Sequence, residues 1–313
     1  MIQKRTIGIV GTGHVGMASA YAVFLRGLAG EIILIDKDRR RAEGEAMDLM
    51  HGQAFVETTT VRAGGYADLS AAQVVVITAG VAQKPAETRL ALLNRNAAVF
   101  RDIIGQLDEH TPESVLIIAS NPVDVLTYIT KALTRRSSRL VIGTGTMLDT
   151  ARFRALLGQY YGVDPRSVHA YILGEHGDTE VPLWSTARIG GVPLVGNTIL
   201  GKAYVQTDMD RLFESVRNAA YEIIARKGYT NTAIGSAIAR LVEAVLDDQR
   251  SVLPVSRQLN GHYGIHEVCL SIPSIIGQTG LTDALLPQLS GIELEGLRHS
   301  AAVLRESIRG ISL

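Results

Sequence analysis

The sequence predicts an α/β protein in which a doubly wound parallel sheet is followed by an α+β domain, and three observations carry that reading. Short β-branched runs recur at 6–10, 32–35, 74–78, 115–119 and 140–142, separated by longer stretches of helical periodicity, the rhythm of strand, helix and strand in alternation. The runs are continuously apolar, so both strand faces are buried, which requires helices on both sides of the sheet. Beyond about residue 143 the rhythm changes to longer amphipathic stretches with short strands between them. Taken in order, 6–10 is the first strand, 15–28 a helix, 32–35 and 74–78 strands, 90–107 a helix, and 115–119 and 140–142 strands. In the second half 149–160, 208–227, 233–246 and 291–308 read as helices, with 169–173 a short strand among them. No repeat or Pro/Ser-rich linker interrupts the chain, so a packed boundary is expected near 143–146, dividing it into domains 1–143 and 144–313.

Composition narrows the function classes. The 313 residues suffice for two domains of about 150 each, and 46% hydrophobic with 20% charged residues excludes a disordered chain. Thirty-one cationic residues balance 31 acidic ones, so no long-range field gathers nucleic acid or acidic lipid, and neither is expected as a partner. Apolar runs fall far short of the roughly 20 residues that cross a bilayer. Cys269, the only cysteine, has no intramolecular disulfide partner, and the N-terminus runs straight into a strand instead of a signal region. The expected location is the cytoplasm.

The hexapeptide Gly11-Thr12-Gly13-His14-Val15-Gly16 follows the first strand at once and opens the first helix. In that context the first glycine suits a tight turn, the second lets a pyrophosphate approach the backbone, and the third lets helix and strand pack closely. The helix N-terminus adds free N–H groups and the positive end of a dipole. Asp36 closes the second strand 20 residues after Gly16, where an acid accepts hydrogen bonds from both hydroxyls of an adenosine ribose. The first half is therefore read as a Rossmann-type NAD-binding domain and the second as a catalytic, substrate-binding domain. The Asp36 carboxylate repels a 2′-phosphate and favours NAD, while Lys37, Arg39 and Arg40 nearby leave NADP open.

A nicotinamide implies hydride transfer, and a carbonyl that receives hydride needs a proton donor with a pKa near working pH. Of the eight histidines, His176 stands out in Gly174-Glu175-His176-Gly177-Asp178, whose small neighbours leave room for substrate and cofactor ring. Asp149 and Arg152, three apart at the start of a predicted helix, lie on one face. There the acid can orient His176 and the guanidinium can grip a carboxylate through two parallel hydrogen bonds. The spacing fits equally well a capping box, Thr146 with Asp149, plus a surface ion pair.

Five ordered motifs then carry a resemblance: Gly11 to Gly16, the loop Gly80-Val81-Ala82-Gln83-Lys84-Pro85-Ala86-Glu87-Thr88-Arg89, Ser120-Asn121-Pro122-Val123-Asp124, the run from Asp149 to Arg154, and Leu173-Gly174-Glu175-His176-Gly177-Asp178. From first strand to last helix the chain resembles the L-lactate and malate dehydrogenase family, and within it the bacterial lactate branch. The resemblance implies that His176 is the proton donor and acceptor with Asp149 as its partner. It further implies that Arg152 anchors the substrate carboxylate and that Arg89, on a mobile loop, polarises the reacting carbonyl. Asn121 and Thr230 line the substrate pocket. The implied cofactor contacts are Gly11, Gly13, His14, Val15, Gly16, Asp36, Thr78, Ala79, Gly80 and Asn121. Before Lys-Pro the family carries Gln for pyruvate and lactate, or Arg for oxaloacetate and malate. Here Gln83 points to lactate, the last step of fermentative glycolysis, and Glu87 in the same loop is expected to disfavour a dicarboxylate further. Longer 2-oxo acids stay open, because a methylene or two discriminates by only about 1–3 kcal/mol. The resemblance also implies a homotetramer, less often a dimer, and phosphate contacts of fructose 1,6-bisphosphate to Arg154 and His169 between subunits.

Other readings lack a starting residue. Gly261 and Gly264 break any helix that would present His262, His266 and Cys269 to a metal, so no metal site is expected. Cys269, between Val268 and Leu270, reads as a small buried hydrophobe. No nucleophile elbow or Walker loop is present. A regulator that binds NAD without turnover has no use for Arg89, Arg152 and His176 together.

Overall fold

A computed structural model describes residues 5–81 and 87–311. Six strands run parallel: β1 (Thr6–Val10), β2 (Glu31–Ile35), β3 (Thr60–Ala63), β4 (Val74–Ile77), β5 (Val115–Ile118) and β6 (Val141–Gly143), in the spatial order β3-β2-β1-β4-β5-β6. Helices α1 (His14–Leu25), α2 (Arg39–His51), α3 (Arg89–His110) and α4 (Val123–Leu133) connect them. Alternate strand residues serve opposite faces. Ile7, Ile9, Ile32, Leu34, Val74 and Val76 pack with Val23 and Phe24 of α1, whereas Ile33, Ile35, Val75, Ile77 and Ile118 pack with Phe100 and Ile104 of α3 and Ile129 of α4. An unbroken apolar run is what a strand covered on both faces demands.

The second half supplies α5 (Met147–Tyr161), α6 (Gln206–Lys227), α7 (Thr232–Leu246) and α8 (Gly291–Ile308). Short strands lie between the first two of these: β7 (Val168–His169), β8 (Ile172–Leu173), β9 (Val181–Pro182), β10 (Arg188–Ile189), β11 (Val192–Pro193), β12 (Thr198–Ile199) and β13 (Lys202–Ala203). The expected strand at 169–173 is thus two short ones. A long hairpin, β14 (Ser251–Asn260) and β15 (His266–Gly277), leads to β16 (Gly280–Ala284). It extends the parallel sheet antiparallel through Ser256 opposite Gly143, giving nine strands among the described residues. The sequence reading passed over this hairpin, because Pro254 and Pro273 interrupt it; in the fold the two prolines stand opposite each other. It also passed over β3, only four residues with Arg62 drawn to Glu31 at 2.9 Å and Asp68 at 3.0 Å. Helix α2 was missed as well, since only Ala42 and Ala46 are buried on it, as was α4, which is buried nearly all round.

Two contacts, one across the halves and one within the second, shape the site. Helix α7 lays Ile238, Leu241, Val242 and Val245 into the same apolar layer as α1, bringing the α6–α7 connection to the glycine loop. The third cluster, around Phe153, Leu157, Ile172, Met209 and Val216, locks α5 against α6 and the short strands. No described helix is long and apolar enough to cross a membrane.

Candidate active site

The glycine loop begins where β1 ends. Gly11 donates its N–H to Ile35 O at 2.7 Å, tying the turn to β2, and Thr78 Oγ1 donates to Gly11 O at 2.8 Å. A Cβ at Gly16 would lie 1.9 Å from Gly11 O, so only glycine lets α1 start this close to the strand. At Gly13 a Cβ would meet no described atom within 4 Å, leaving the backbone open to an approaching group. Gly13 is also the N-cap of α1 and supplies no side-chain cap, so the first N–H groups of the helix are left for an anion. His14 and Val15 form the first turn, and the His14 ring stacks on Tyr229 at 3.8 Å.

Gly11, Gly13, Asp36, Thr78, Ala79 and Gly80 line one cleft of about 430 Å³, together with Lys37, Arg41 and Tyr66. Asp36 Oδ2 accepts from Thr12 N at 2.7 Å and Thr12 Oγ1 at 2.9 Å, and Oδ1 accepts from Asp38 N at 3.0 Å. Burial pushes the Asp36 carboxyl up, but these donors and Arg41 outweigh it and hold the group below the usual carboxylate range. An ionised acid with a lone pair to spare at the end of β2 suits a ribose hydroxyl. Of the nearby cations, Lys37 lines the cleft, Arg39 is drawn to Glu43 at 3.0 Å, and Arg41, which sequence reading overlooked, faces the same cleft. These residues fit a dinucleotide: an open helix start for phosphate, an acid for ribose, and the apolar Val10, Val81 and Ile103 as walls.

The second cleft, about 370 Å³, brings Asn121, Asp149, Arg152 and His176 together, with Leu92 of α3 and Arg217, Ala220, Tyr221 and Ile224 of α6. His176 is pinned through its main chain. Gly174 exchanges hydrogen bonds with Ser271 of β15 at 3.0 and 2.9 Å, Glu175 N donates to Ser300 Oγ of α8 at 2.6 Å, and His176 N donates to Asp124 Oδ2 of α4 at 2.8 Å. Its ring Nδ1 lies 2.5 Å from Asp149 Oδ2, and Asp149 Oδ1 accepts from Arg152 Nη1 at 2.8 Å. The capping box that the spacing allowed does not form, because the Thr146 hydroxyl donates to Ile172 O at 2.6 Å. Asp149 is only 3% exposed, so its two partners are what make its charge tolerable.

Burial by itself pushes the His176 imidazolium toward neutrality, but Asp149, helped by Asp124 and Glu180, raises its pKa to about 9. Burial likewise pushes Asp149 up, and His176 with Arg152 overrides it, holding that carboxyl below the ordinary range. At neutral pH the two form an ion pair. With Nδ1 committed to Asp149, Nε2 is the ring nitrogen left to exchange a proton with a ligand.

The remaining sequence candidates fall elsewhere. Thr230 is half-buried between α6 and α7 and does not line the cleft. Gln83 lies outside the described residues, and Arg89 opens α3 with its side chain outside them. Glu87 corrects an expectation: Arg95 holds it with two hydrogen bonds at 2.6 and 2.8 Å, so its charge is already matched inside the protein. Arg154 Nε donates to Ala170 O at 2.8 Å with its guanidinium 4.8 Å over the Tyr171 ring. His169 is exposed on β7, opposite Arg188 of β10. Among the described residues no cluster of three or more His, Cys, Asp or Glu is grouped to hold a metal. Cys269 is buried on β15, and burial pushes its thiol well up.

Three residues around His176 also escaped the sequence reading. Asp124 was legible only as part of a motif, yet it holds the His176 backbone, with burial raising its carboxyl to about 6. Glu180 follows the His176 motif by two residues, just before an apolar strand, and Arg217 lies in an amphipathic helix; neither position advertises a cleft.

Residues 5–143 match the family model for the lactate/malate dehydrogenase NAD binding domain, and residues 146–312 the model for the lactate/malate dehydrogenase alpha/beta C-terminal domain. The chain is 61% identical to an L-lactate dehydrogenase of Salinibacter ruber, covering 98% of both chains. It is 48% identical to an L-lactate dehydrogenase of Thermus aquaticus over 96% of this chain and 97% of that one. Its fold matches the crystal structure of a minor L-lactate dehydrogenase from Enterococcus mundtii in a ligand-bound form, with a TM-score of 0.96, 41% identity and 99% of both chains covered.

Proposed function

The chain belongs to the lactate/malate dehydrogenase family and is an NAD-dependent oxidoreductase, and from that premise we propose that it interconverts pyruvate and L-lactate, the reaction that ends fermentative glycolysis. The observation that carries this reading is the cleft in which His176, charged through Asp149 at 2.5 Å, stands beside the Arg152 guanidinium. Bound NADH supplies the hydride. Arg152 grips the substrate carboxylate, and Nε2 of His176 gives its proton to the carbonyl oxygen as the carbon is reduced, leaving a neutral imidazole that Asp149 keeps oriented. In the reverse direction the same nitrogen takes the hydroxyl proton. We assign Arg89 to polarising the carbonyl, Gln83 and Asn121 to lining the substrate, and the glycine loop with Asp36, Thr78, Ala79 and Gly80 to NAD.

The direct test is NADH oxidation with pyruvate and with oxaloacetate. Pyruvate should be strongly preferred, and preference for oxaloacetate would overturn the lactate reading. Gln83→Arg should move the ratio of kcat/KM toward oxaloacetate by about tenfold or more, since a charge-assisted pair to the second carboxylate is worth roughly 1.5–3 kcal/mol. Glu87, held by Arg95, does not compete for the new guanidinium. An unchanged ratio would remove Gln83 from the substrate.

Regulation by fructose 1,6-bisphosphate belongs to the same reading. Arg154 donates to the carbonyl of Ala170, the residue after His169, and pairing of the two residues about a two-fold axis would bring four cationic groups to one effector. Fructose 1,6-bisphosphate should lower KM for pyruvate. Superimposable saturation curves with and without the effector, at an unchanged oligomer mass, would remove this site.

A further inference from the structure

We propose that Glu180 is a positioning residue that sets the charge of the substrate cleft: its carboxyl has to carry a proton for a monocarboxylate to bind, so that productive pyruvate binding depends on two protons, one on His176 and one on Glu180. The inference rests on the pyruvate reading above and adds a residue to it.

Glu180 precedes β9 and lines the cleft with Asp149, Arg152, His176 and Arg217. It is only 7% exposed, and its Oε1 is buried with no hydrogen-bond partner among the described residues. A carboxylate oxygen left bare in such a place is costly, whereas a protonated carboxyl is far less so. The charges around it come from every side: Asp149 and Arg152 from α5, His176 from its own segment, and Arg217 from α6. Asp178 and Tyr221 also line the cleft and bond to each other at 3.0 Å. Burial, with Asp149, pushes Glu180 up to about 8 against the pull of His176, Arg152 and Arg217.

With Glu180 protonated, the cations His176, Arg152 and Arg217 set against Asp149 and Asp178 leave one net positive charge in the cleft, matched to one substrate carboxylate. Ionised Glu180 cancels that charge and faces the incoming anion with its own. Because Glu180 and His176 interact, the two protons leave in steps that belong to the pair. Only the doubly protonated form binds and reduces pyruvate, so kcat/KM should fall with a slope approaching two on a logarithmic scale at high pH.

The test is the pH profile of kcat/KM for pyruvate at saturating NADH, for wild type, Glu180→Gln and Arg217→Met. Wild type should lose activity with the steeper limb. Glu180→Gln, which mimics the neutral acid, should match wild type near pH 6, fall with a slope of one, and exceed wild type by roughly tenfold near pH 10. Removing the Arg217 cation stabilises the Glu180 proton, so Arg217→Met should displace the wild-type limb to higher pH. Parallel wild-type and Glu180→Gln profiles would mean that Glu180 only supports the fold. If Glu180→Gln cannot be folded, an Arg217→Met limb that stays in place overturns the proposal. A wild-type enzyme that does not reduce pyruvate would instead reject the functional reading beneath it.

Discussion

His176→Ala should lower kcat for pyruvate reduction by about 10²- to 10⁴-fold, the usual contribution of a positioned general acid, while NADH affinity stays close to that of wild type. The split follows from the architecture. The histidine hangs from a segment pinned to β15, α8 and α4, whereas the glycine loop and Asp36 are fixed by β1, β2 and Thr12. Removing the ring cuts the proton path without disturbing either end of the cofactor cleft. Steady-state turnover with pyruvate, paired with NADH titration by fluorescence, checks both halves. Near-normal turnover would displace His176 from its role, and loss of NADH binding would show that the two clefts are less independent than their supports indicate.

Asp149→Asn should cost about 10²-fold or more in kcat/KM and also change the pH at which activity is lost. In wild type the Asp149 carboxylate is what lifts His176 to about 9 against its burial. With a neutral amide in its place that burial acts unopposed, and the imidazole deprotonates at lower pH. Pyruvate reduction needs the charged ring, which is present below the His176 pKa and lost above it. The upper limb of the profile should therefore move down by roughly one to three pH units. The amide also has a single acceptor oxygen where the carboxylate accepts from Arg152 at 2.8 Å and meets His176 at 2.5 Å, so KM for pyruvate should rise as Arg152 loses its anchor. A uniform loss with the limb unmoved would mean that Asp149 acts only as a buried structural acid. That outcome is distinct from the one expected at Glu180, where the slope of the limb changes.

Much of this was legible because periodicity and spacing are local properties. The run Thr6–Val10, the glycines at 11, 13 and 16 and the acid at 36 are linked by a chain stretch too short to be arranged otherwise, and continuous apolar strands force helices onto both faces of a sheet. The choice between two uses of Asp149 was not local. Spacing admitted a cap as readily as a partner for histidine, and the fold decided by engaging Thr146 with Ile172 and delivering His176 from 27 residues away. Glu87 was misjudged for the same reason: its charge was visible in the sequence, but the Arg95 side chain that matches it arrives only when the backbone turns into α3.

By itself, then, the sequence determined the first half's strand rhythm, the phosphate loop with its ribose acid, and the residue types that the reaction requires. Tertiary structure alone decided that a proline-interrupted hairpin extends the sheet, that α7 joins the layer of α1, and that Asp124, Glu180 and Arg217 gather around one histidine. The physical reason is that burial and electrostatic coupling depend on distances between segments remote in the chain. A carboxyl such as Glu180 acquires its unusual proton affinity only from neighbours on α5 and α6 that sequence order does not bring near.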